Sequence, residues 1–254
     1  MTQSHHSFVN TLYSPRANEY LTSAVHASGE DLDQIEAAVR GRSTSRALDL
    51  GCGGGHVSYR VAPHVAEVIA VDLSPQMLET VLRTASDRGL RNVTARESAA
   101  ESLPFANGEF DFVLSRFSAH HWRDLEAGLR EARRVLARGG RAIFVDSVAP
   151  AIPLLDSHLQ TIELLRDPSH VRNYTVPEWV AALARAGFEV ASLKPRKVRI
   201  EFASWIARTR TPELHAQAVR SLQQNAPEEV RHHFGMESDG SFLLDAMGFE
   251  ATTA

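Results

Sequence analysis

The chain is poor in several things, and each scarcity narrows what it can be. Among its 254 residues there is one cysteine, Cys52. No intrachain disulfide can form, and a zinc site held by thiolates is not expected. The histidine pairs His5–His6, His120–His121 and His232–His233 also lack metal-ligand spacing. Only two lysines occur, Lys194 and Lys197; every other basic side chain is arginine. Cations do not outnumber anions, and the formal net charge is −4 at pH 7. Without a basic excess, nucleic acid and acidic membrane surfaces are poor partners. No apolar run approaches the ~20 residues that span a bilayer. The opening MTQSHHSFVN has no apolar centre like that of a secretory signal. The expectation is a cytoplasmic protein without a membrane span. What is present, 43% hydrophobic and 23% charged residues, suits one large α/β domain with a substantial core.

The organisation is legible from apolar runs and their punctuation. Leu32, Ile35 and Val39 share one face of a helix that Gly41 ends. RALDLG (46–51) reads as a buried strand, and a helix through Val57 and Val61 stops near Pro63. EVIAVD (67–72) is a second strand. Ser74-Pro75 starts a helix with a cap and a proline in its first turn, and Gly89 closes it. NVTARES (92–98) and FDFVLSRF (110–117) are further strands. Asp124 caps a helix carrying Leu125, Leu129, Val135 and Leu136, expected to stop at Gly139-Gly140. RAIFVDSV (141–148) is the fifth strand. Strands alternating with helices at this spacing mean βαβ units and a parallel sheet. After Pro153 a helix runs to about Asp167, and another begins at the capping box of Thr175 and Glu178 and ends at Gly187. FEVASLK and KVRIEF read as strand broken by Pro195. A helical region follows over 203–234, then a last strand, SFLLDAMGFEA.

The stretch LDLGCGGGHVS (48–58) sits between a buried strand and a helix. In α/β sheets that is where ligands bind, at the carboxyl edge of the strands, against free N–H groups of a helix start. Asp72 ends the next strand, where an acid accepts both hydroxyls of a ribose. Together they suggest a ligand containing adenosine, or at least ribose. NAD and S-adenosylmethionine both fit. The details favour the second, because a dinucleotide fingerprint wants a third glycine where His56 stands. Asp49, just before the turn, suits a cationic ligand.

These motifs carry a resemblance. ALDLGCGGGHVS, VIAVDLSPQML, AAESLPFANGEFDFVLSRFSAHHW and RRVLARGGRAIFVD, in this order and spacing over residues 46–148, are similar to class I S-adenosylmethionine-dependent methyltransferases. They resemble the type 11 branch that includes the ubiquinone/menaquinone C-methyltransferases. The later segments RDPSHVRNY and SWIARTRTPE are similar to one bacterial subgroup of methyltransferases. The resemblance implies a Rossmann-like α/β fold: a seven-stranded, mostly parallel sheet, its last strand antiparallel, with helices on both faces. It implies S-adenosylmethionine as cofactor. Gly51 and Gly53 would contact the methionine part, with the Cys52 backbone between them and Asp49 anchoring the amino group. Asp72 would hold the ribose, and Leu73 and Met77 would lie beside the adenine or its ribose. The family's Asp-Ala pair before the LPF motif is replaced here by Ala99, followed by Ala100 and Glu101. Adenine is therefore expected to rely on the Ala100 backbone or on Glu101. Ser115 and Arg116 would lie beside the methionine part and the transferable methyl. Tyr13 and Tyr20 are candidates for a lid.

Methyl transfer from a sulfonium mainly needs alignment, and a base only where the nucleophile carries a proton. His120 and His121, past the fourth strand, are the candidate bases; being adjacent, they project differently, and at least one is expected to be structural. Arg166, His170, Arg172 and Tyr174 form the candidate acceptor-binding set. The expected organisation is one methyltransferase domain over 1–254. Residues 1–45 are its lid and first helix, 46–148 its cofactor core, and 149–254 its substrate wall, helical insertion and last strands. The acceptor is expected to be a small molecule, and the protein a monomer or homodimer. Two rivals stand beside this: a non-catalytic module that binds S-adenosylmethionine, and an NAD(P)-dependent reductase.

Overall fold

The computed structural model describes residues 4–16 and 28–253. Seven strands form one sheet in the order β3-β2-β1-β4-β5-β7-β6. They are β1 (Arg42–Leu50), β2 (Val65–Asp72), β3 (Val93–Glu97), β4 (Phe110–Arg116), β5 (Leu136–Ser147), β6 (Glu189–Ile200) and β7 (Phe242–Thr252). β1 to β5 run parallel, and β7 lies antiparallel between β5 and β6. This is the expected sheet. The parallel strands are apolar on both faces because both are covered. Leu48 and Leu50 of β1 pack with Leu129 and Val135 of α5 (Leu125–Val135) and Trp179 of α7 (Val176–Arg185). Ala47, one residue away, faces Leu32 and Ile35 of α2 (Glu30–Val39), Val57 of α3 (His56–Val61) and Val81 of α4 (Pro75–Asp87).

The caps read from the sequence are made. The Ser74 hydroxyl accepts from the Met77 N–H, the Asp124 carboxylate from the Ala127 N–H, and Thr175 and Glu178 complete a reciprocal capping box. Two boundaries differ from expectation. α5 ends at Val135, and Leu136 is already extended (φ −77°, ψ 129°) and paired with Phe110. Gly139 and Gly140 therefore lie within β5, where a register shift absorbs them, instead of closing a helix. Pro195 does not break β6, which is continuous and pairs Pro195 with Met247. β6 is the sheet's edge, so its outer N–H groups have no ladder partner to lose.

A second, smaller core lies beside the sheet. α6 (Pro153–Arg166) packs with α8 (Phe202–Arg208), α9 (Glu213–Gln224) and α10 (Glu228–His233) around Leu159, Trp205, Val219, Phe234 and Phe242. The last three helices lie between β6 and β7, as the expected insertion. At the amino end α1 (His5–Tyr13) rests its Val9 and Tyr13 on Met77, with Leu12 and Leu73 alongside. Among the described residues no helix is long and apolar enough to cross a membrane.

Candidate active site

The strand order reverses direction between β1 and β4, and a crevice at the carboxyl ends of the strands follows from that reversal. A cavity of about 1510 Å³, counting its open mouth, occupies it. The glycine turn forms one wall. The N–H groups of Gly51 and Cys52 both donate to the Val71 carbonyl at 2.8 Å, which folds the turn back over β2. Gly51 has φ +71°, and a Cβ there would stand 1.8 Å from the Ser118 hydroxyl oxygen. Gly53 has φ +47°, and a Cβ there would meet nothing within 4 Å. The turn thus presents bare backbone to open space.

Two carboxyls brace the turn. Asp49 is 1% exposed and accepts from the N–H and hydroxyl of Ser58 at 3.0 and 2.6 Å. Burial pushes its pKa up to about 7, the Ser58 bonds opposing. A cation against it favours the ionised form. Asp72 is half-buried, and its two oxygens accept from Gly53 and Ser74 N–H groups at 2.9 and 3.0 Å. Burial raises its pKa as well, against those backbone bonds. Leu73, Met77 and Ala100 add an apolar surface, and Glu101 joins them, accepting from the Asp124 N–H at 3.2 Å.

The fit to the expected cofactor can be judged on these features. A left-handed glycine facing open space, a half-exposed acid at the end of β2, a buried acid at the end of β1 and an apolar patch match its methionine, ribose, ammonium and adenine parts. The donor set fits.

The histidines stand between this wall and the opposite one. His120 Nδ1 is 2.6 Å from Asp146 Oδ1, and Asp146 Oδ2 accepts from the Ala119 N–H at 2.7 Å. Burial works against the His120 cation, but the Asp146 charge and hydrogen bond outweigh it and the pKa is raised. Asp146 is held below its usual range by His120 and its backbone donors, despite burial. His121 goes the other way, pushed down to about 4 by burial and by His120. Its Nε2 lies 2.9 Å from the Tyr13 hydroxyl, which donates to Asp167 Oδ2 at 2.5 Å. The two neighbours are therefore different: His120 is oriented by an acid, and His121 ties α1 to the loop after α6.

Of the residues singled out in the sequence, the cavity brings together Asp49, Gly51, Cys52, Gly53, Asp72, Leu73, Met77, Ala100, Glu101, Arg116, His120, His121 and Arg166. Five others stay outside its lining. Ala99 is spent on a turn, its carbonyl taking the Ser102 N–H. Ser115 alternates with Arg116 along β4 and sits against β5, paired with Phe144. The segment holding His170, Arg172 and Tyr174 packs behind the His120 turn, where Val171 and Arg172 donate N–H groups to the His120 carbonyl. There His170 meets Gln160 at 3.0 Å, Arg172 pairs with Asp156 at 3.2 Å, and Tyr174 lies on an outer surface hollow. Tyr20 lies outside the described residues. Asp146, Ser118, Trp122, Glu163 and the Val198–Ile200–Leu244 wall were missed. Asp146 had a signal, an acid in an otherwise apolar strand; the rest had none that local pattern could supply.

Comparisons with known proteins agree with this geometry. A family model described as "Methyltransferase domain" matches residues 48–144. Uncharacterized protein YafE of Escherichia coli is 46% identical over 204 residues, covering 80% of this chain and 99% of YafE. Uncharacterized methyltransferase YcgJ of Bacillus subtilis is 35% identical, covering 88% of each chain. The YcgJ crystal structure superposes with a TM-score of 0.84 at 33% identity, over 88% of this chain and 98% of that one. The ubiquinone/menaquinone biosynthesis C-methyltransferase UbiE of Rhizobium meliloti is 30% identical over 55% of each.

Proposed function

This chain belongs to the methyltransferase-domain family and is a class I S-adenosylmethionine-dependent methyltransferase, and from that premise we propose that it methylates a small molecule held in the same cavity, by in-line displacement. The observation that carries the proposal is the continuity of one cavity from the glycine turn and Asp72 to His120, Arg166 and Trp205. Two reactants can therefore meet inside one enclosure. In this assignment residues 46–148 hold the cofactor and residues 149–254 supply most of the acceptor wall.

When bound, S-adenosylmethionine supplies a methyl group on a sulfonium, an excellent leaving group. The chain's own task is alignment, which can lower a barrier by ~7–11 kcal/mol in favourable systems. Asp49, Gly51, Gly53 and Arg116 would hold the methionine end, and Asp72 the ribose. Leu73, Met77, Ala100 and Glu101 would hold the adenine. α1, through Val9 and Tyr13, covers that side and keeps water out. His120, with Nδ1 committed to Asp146, keeps Nε2 to take a proton from an acceptor that carries one. His121, bound to Tyr13, serves position rather than proton transfer.

Calorimetric titration with S-adenosylmethionine, S-adenosylhomocysteine and NADH tests the assignment, with Asp72→Ala alongside. Micromolar binding of the first two is expected, weakened about tenfold or more by the substitution, the worth of a charged hydrogen bond. Preference for NADH, or no binding of either, would replace the proposal with the reductase alternative.

A further inference from the structure

The wall opposite the glycine turn is made by α6, α8, β6 and β7. Val198, Ile200 and Leu244 are apolar, and the Trp205 ring lies under the Arg166 guanidinium at 5.2 Å. Arg166 and Arg208 bring donors to this wall, and among the described residues Glu163 is its one carboxyl. Its side chain is 8% exposed and lines the cavity. Among the described residues nothing donates a hydrogen bond to its carboxyl; its ion-pair partner, Arg166, stays at 3.7 Å, beyond hydrogen-bond length. Buried carboxyls elsewhere in this protein are answered. Asp49, Asp146 and Asp167 each accept from two or more donors at 3.0 Å or less. A buried polar group left unmet in a cavity is a place where a ligand completes the bonding.

We propose that Glu163 is a specificity-determining residue that accepts a hydrogen bond from a neutral hydroxyl on a largely apolar acceptor. The proposal rests on the methyltransferase assignment and deepens it by naming the acceptor's chemistry. The charges around Glu163 are of both signs: Arg166, Arg208 and, when protonated, His120 on one side, Asp167 on the other. A charged group placed there would meet like charge whichever its sign, cations in Arg166 and Arg208 or carboxylates in Glu163 and Asp167. A hydroxyl donates without bringing charge, and Val198, Ile200, Leu244 and the Trp205 ring take apolar surface of the molecule. Burial pushes the Glu163 pKa up, with Arg166 and His120 opposing.

The test uses four probes on one scaffold: 4-propylphenol, propylbenzene, 4-propylbenzylamine and 4-propylbenzoate. Each is titrated at pH 7 into the full chain loaded with S-adenosylhomocysteine, and Kd is read by ligand-observed NMR. 4-Propylphenol is expected to bind at least about tenfold tighter than the other three. Glu163→Leu should erase the preference over propylbenzene. Glu163→Gln, which keeps an acceptor oxygen, should hold it to within about threefold. S-adenosylhomocysteine affinity should stay unchanged in both variants, which also shows that they fold. Equal binding of phenol and hydrocarbon, tightest binding of either charged probe, no binding of any probe, or a preference that survives in Glu163→Leu would each overturn the proposal. Failure of the wild-type protein to bind S-adenosylhomocysteine would instead overturn the methyltransferase assignment beneath it.

Discussion

Gly51 and Gly53 are two residues apart and take the same left-handed backbone, yet they answer to different constraints. A Cβ on Gly51 runs into Ser118, whereas one on Gly53, a residue that lines the cavity, meets nothing within 4 Å. Gly51→Ala is expected to cost about 2–3 kcal/mol of stability, read as a fall in Tm, because conformational strain and a clash add. Gly53→Ala should cost about 1 kcal/mol, the strain alone, and should mainly weaken S-adenosylhomocysteine binding. Equal losses of Tm in the two variants would contradict this division. The His120–Asp146 pair offers a second residue-level prediction. Burial alone would lower the His120 pKa, and Asp146 reverses it. In Asp146→Asn the burial stays and the charge goes, so an NMR titration of the His120 ring should move to lower pH. An unshifted titration would mean that Asp146 does not set the state of the ring.

At the scale of elements, α1 shows how a short helix is placed by side chains distant in sequence. It has a serine cap at Ser4, whose side chain accepts from the Ser7 N–H. Its position comes from Tyr13 on Asp167 and His121, His5 on the His121 carbonyl at 3.1 Å, and Ser14 on Ser74 at 2.9 Å. Tyr13→Phe removes two of these bonds and leaves the apolar contact with Met77 in place. The expected result is faster dissociation of S-adenosylhomocysteine, by about threefold to tenfold in a stopped-flow chase, with little change in Tm. An unchanged dissociation rate would show that α1 does not govern release.

Across the whole molecule, the buried histidines link stability to pH. His170 is pushed down to about 2 by burial and by the nearby His120 and His121. The unfolded chain takes up a proton there as pH falls through about 6.5, while the folded chain does not. Stability from this group is therefore lost as pH falls below about 6.5, and His121 acts in the same direction. His120, raised by Asp146, acts oppositely: its contribution is present below about 6.5 and fades as pH rises through its folded pKa. Asp146, held low, contributes above about 3.8 and loses that contribution as pH falls through its folded pKa. His158, lowered by burial, adds to the two depressed histidines, whereas Asp49, Asp72 and Glu163, raised by burial, act oppositely and gain stability as pH falls. The His170 share is isolated by substitution: Tm at pH 5 relative to pH 7 should be higher in His170→Gln than in the wild type, and an identical pH dependence would remove His170 from the account.

The sequence by itself determined the βαβ core, the glycine turn and its acids, and nearly every helix start, because caps, prolines and apolar periods act between residues a few positions apart. Ser74, Asp124 and Thr175 each meet a donor three residues on. Its errors fell where neighbours in space overrule neighbours in sequence: Leu136 joins β4 instead of extending α5, and Pro195 sits unbroken in β6 because that strand is an edge. Only the tertiary structure decided which side chains converge. Asp146 reaches His120 because β5 lies beside β4, and Tyr13 reaches Asp167 across 154 residues of chain. It also turned His170, Arg172 and Tyr174 behind the site and brought Glu163 to the cavity instead. Those meetings depend on strand order and helix packing, and no local pattern encodes which distant partner a buried charge will find, or fail to find.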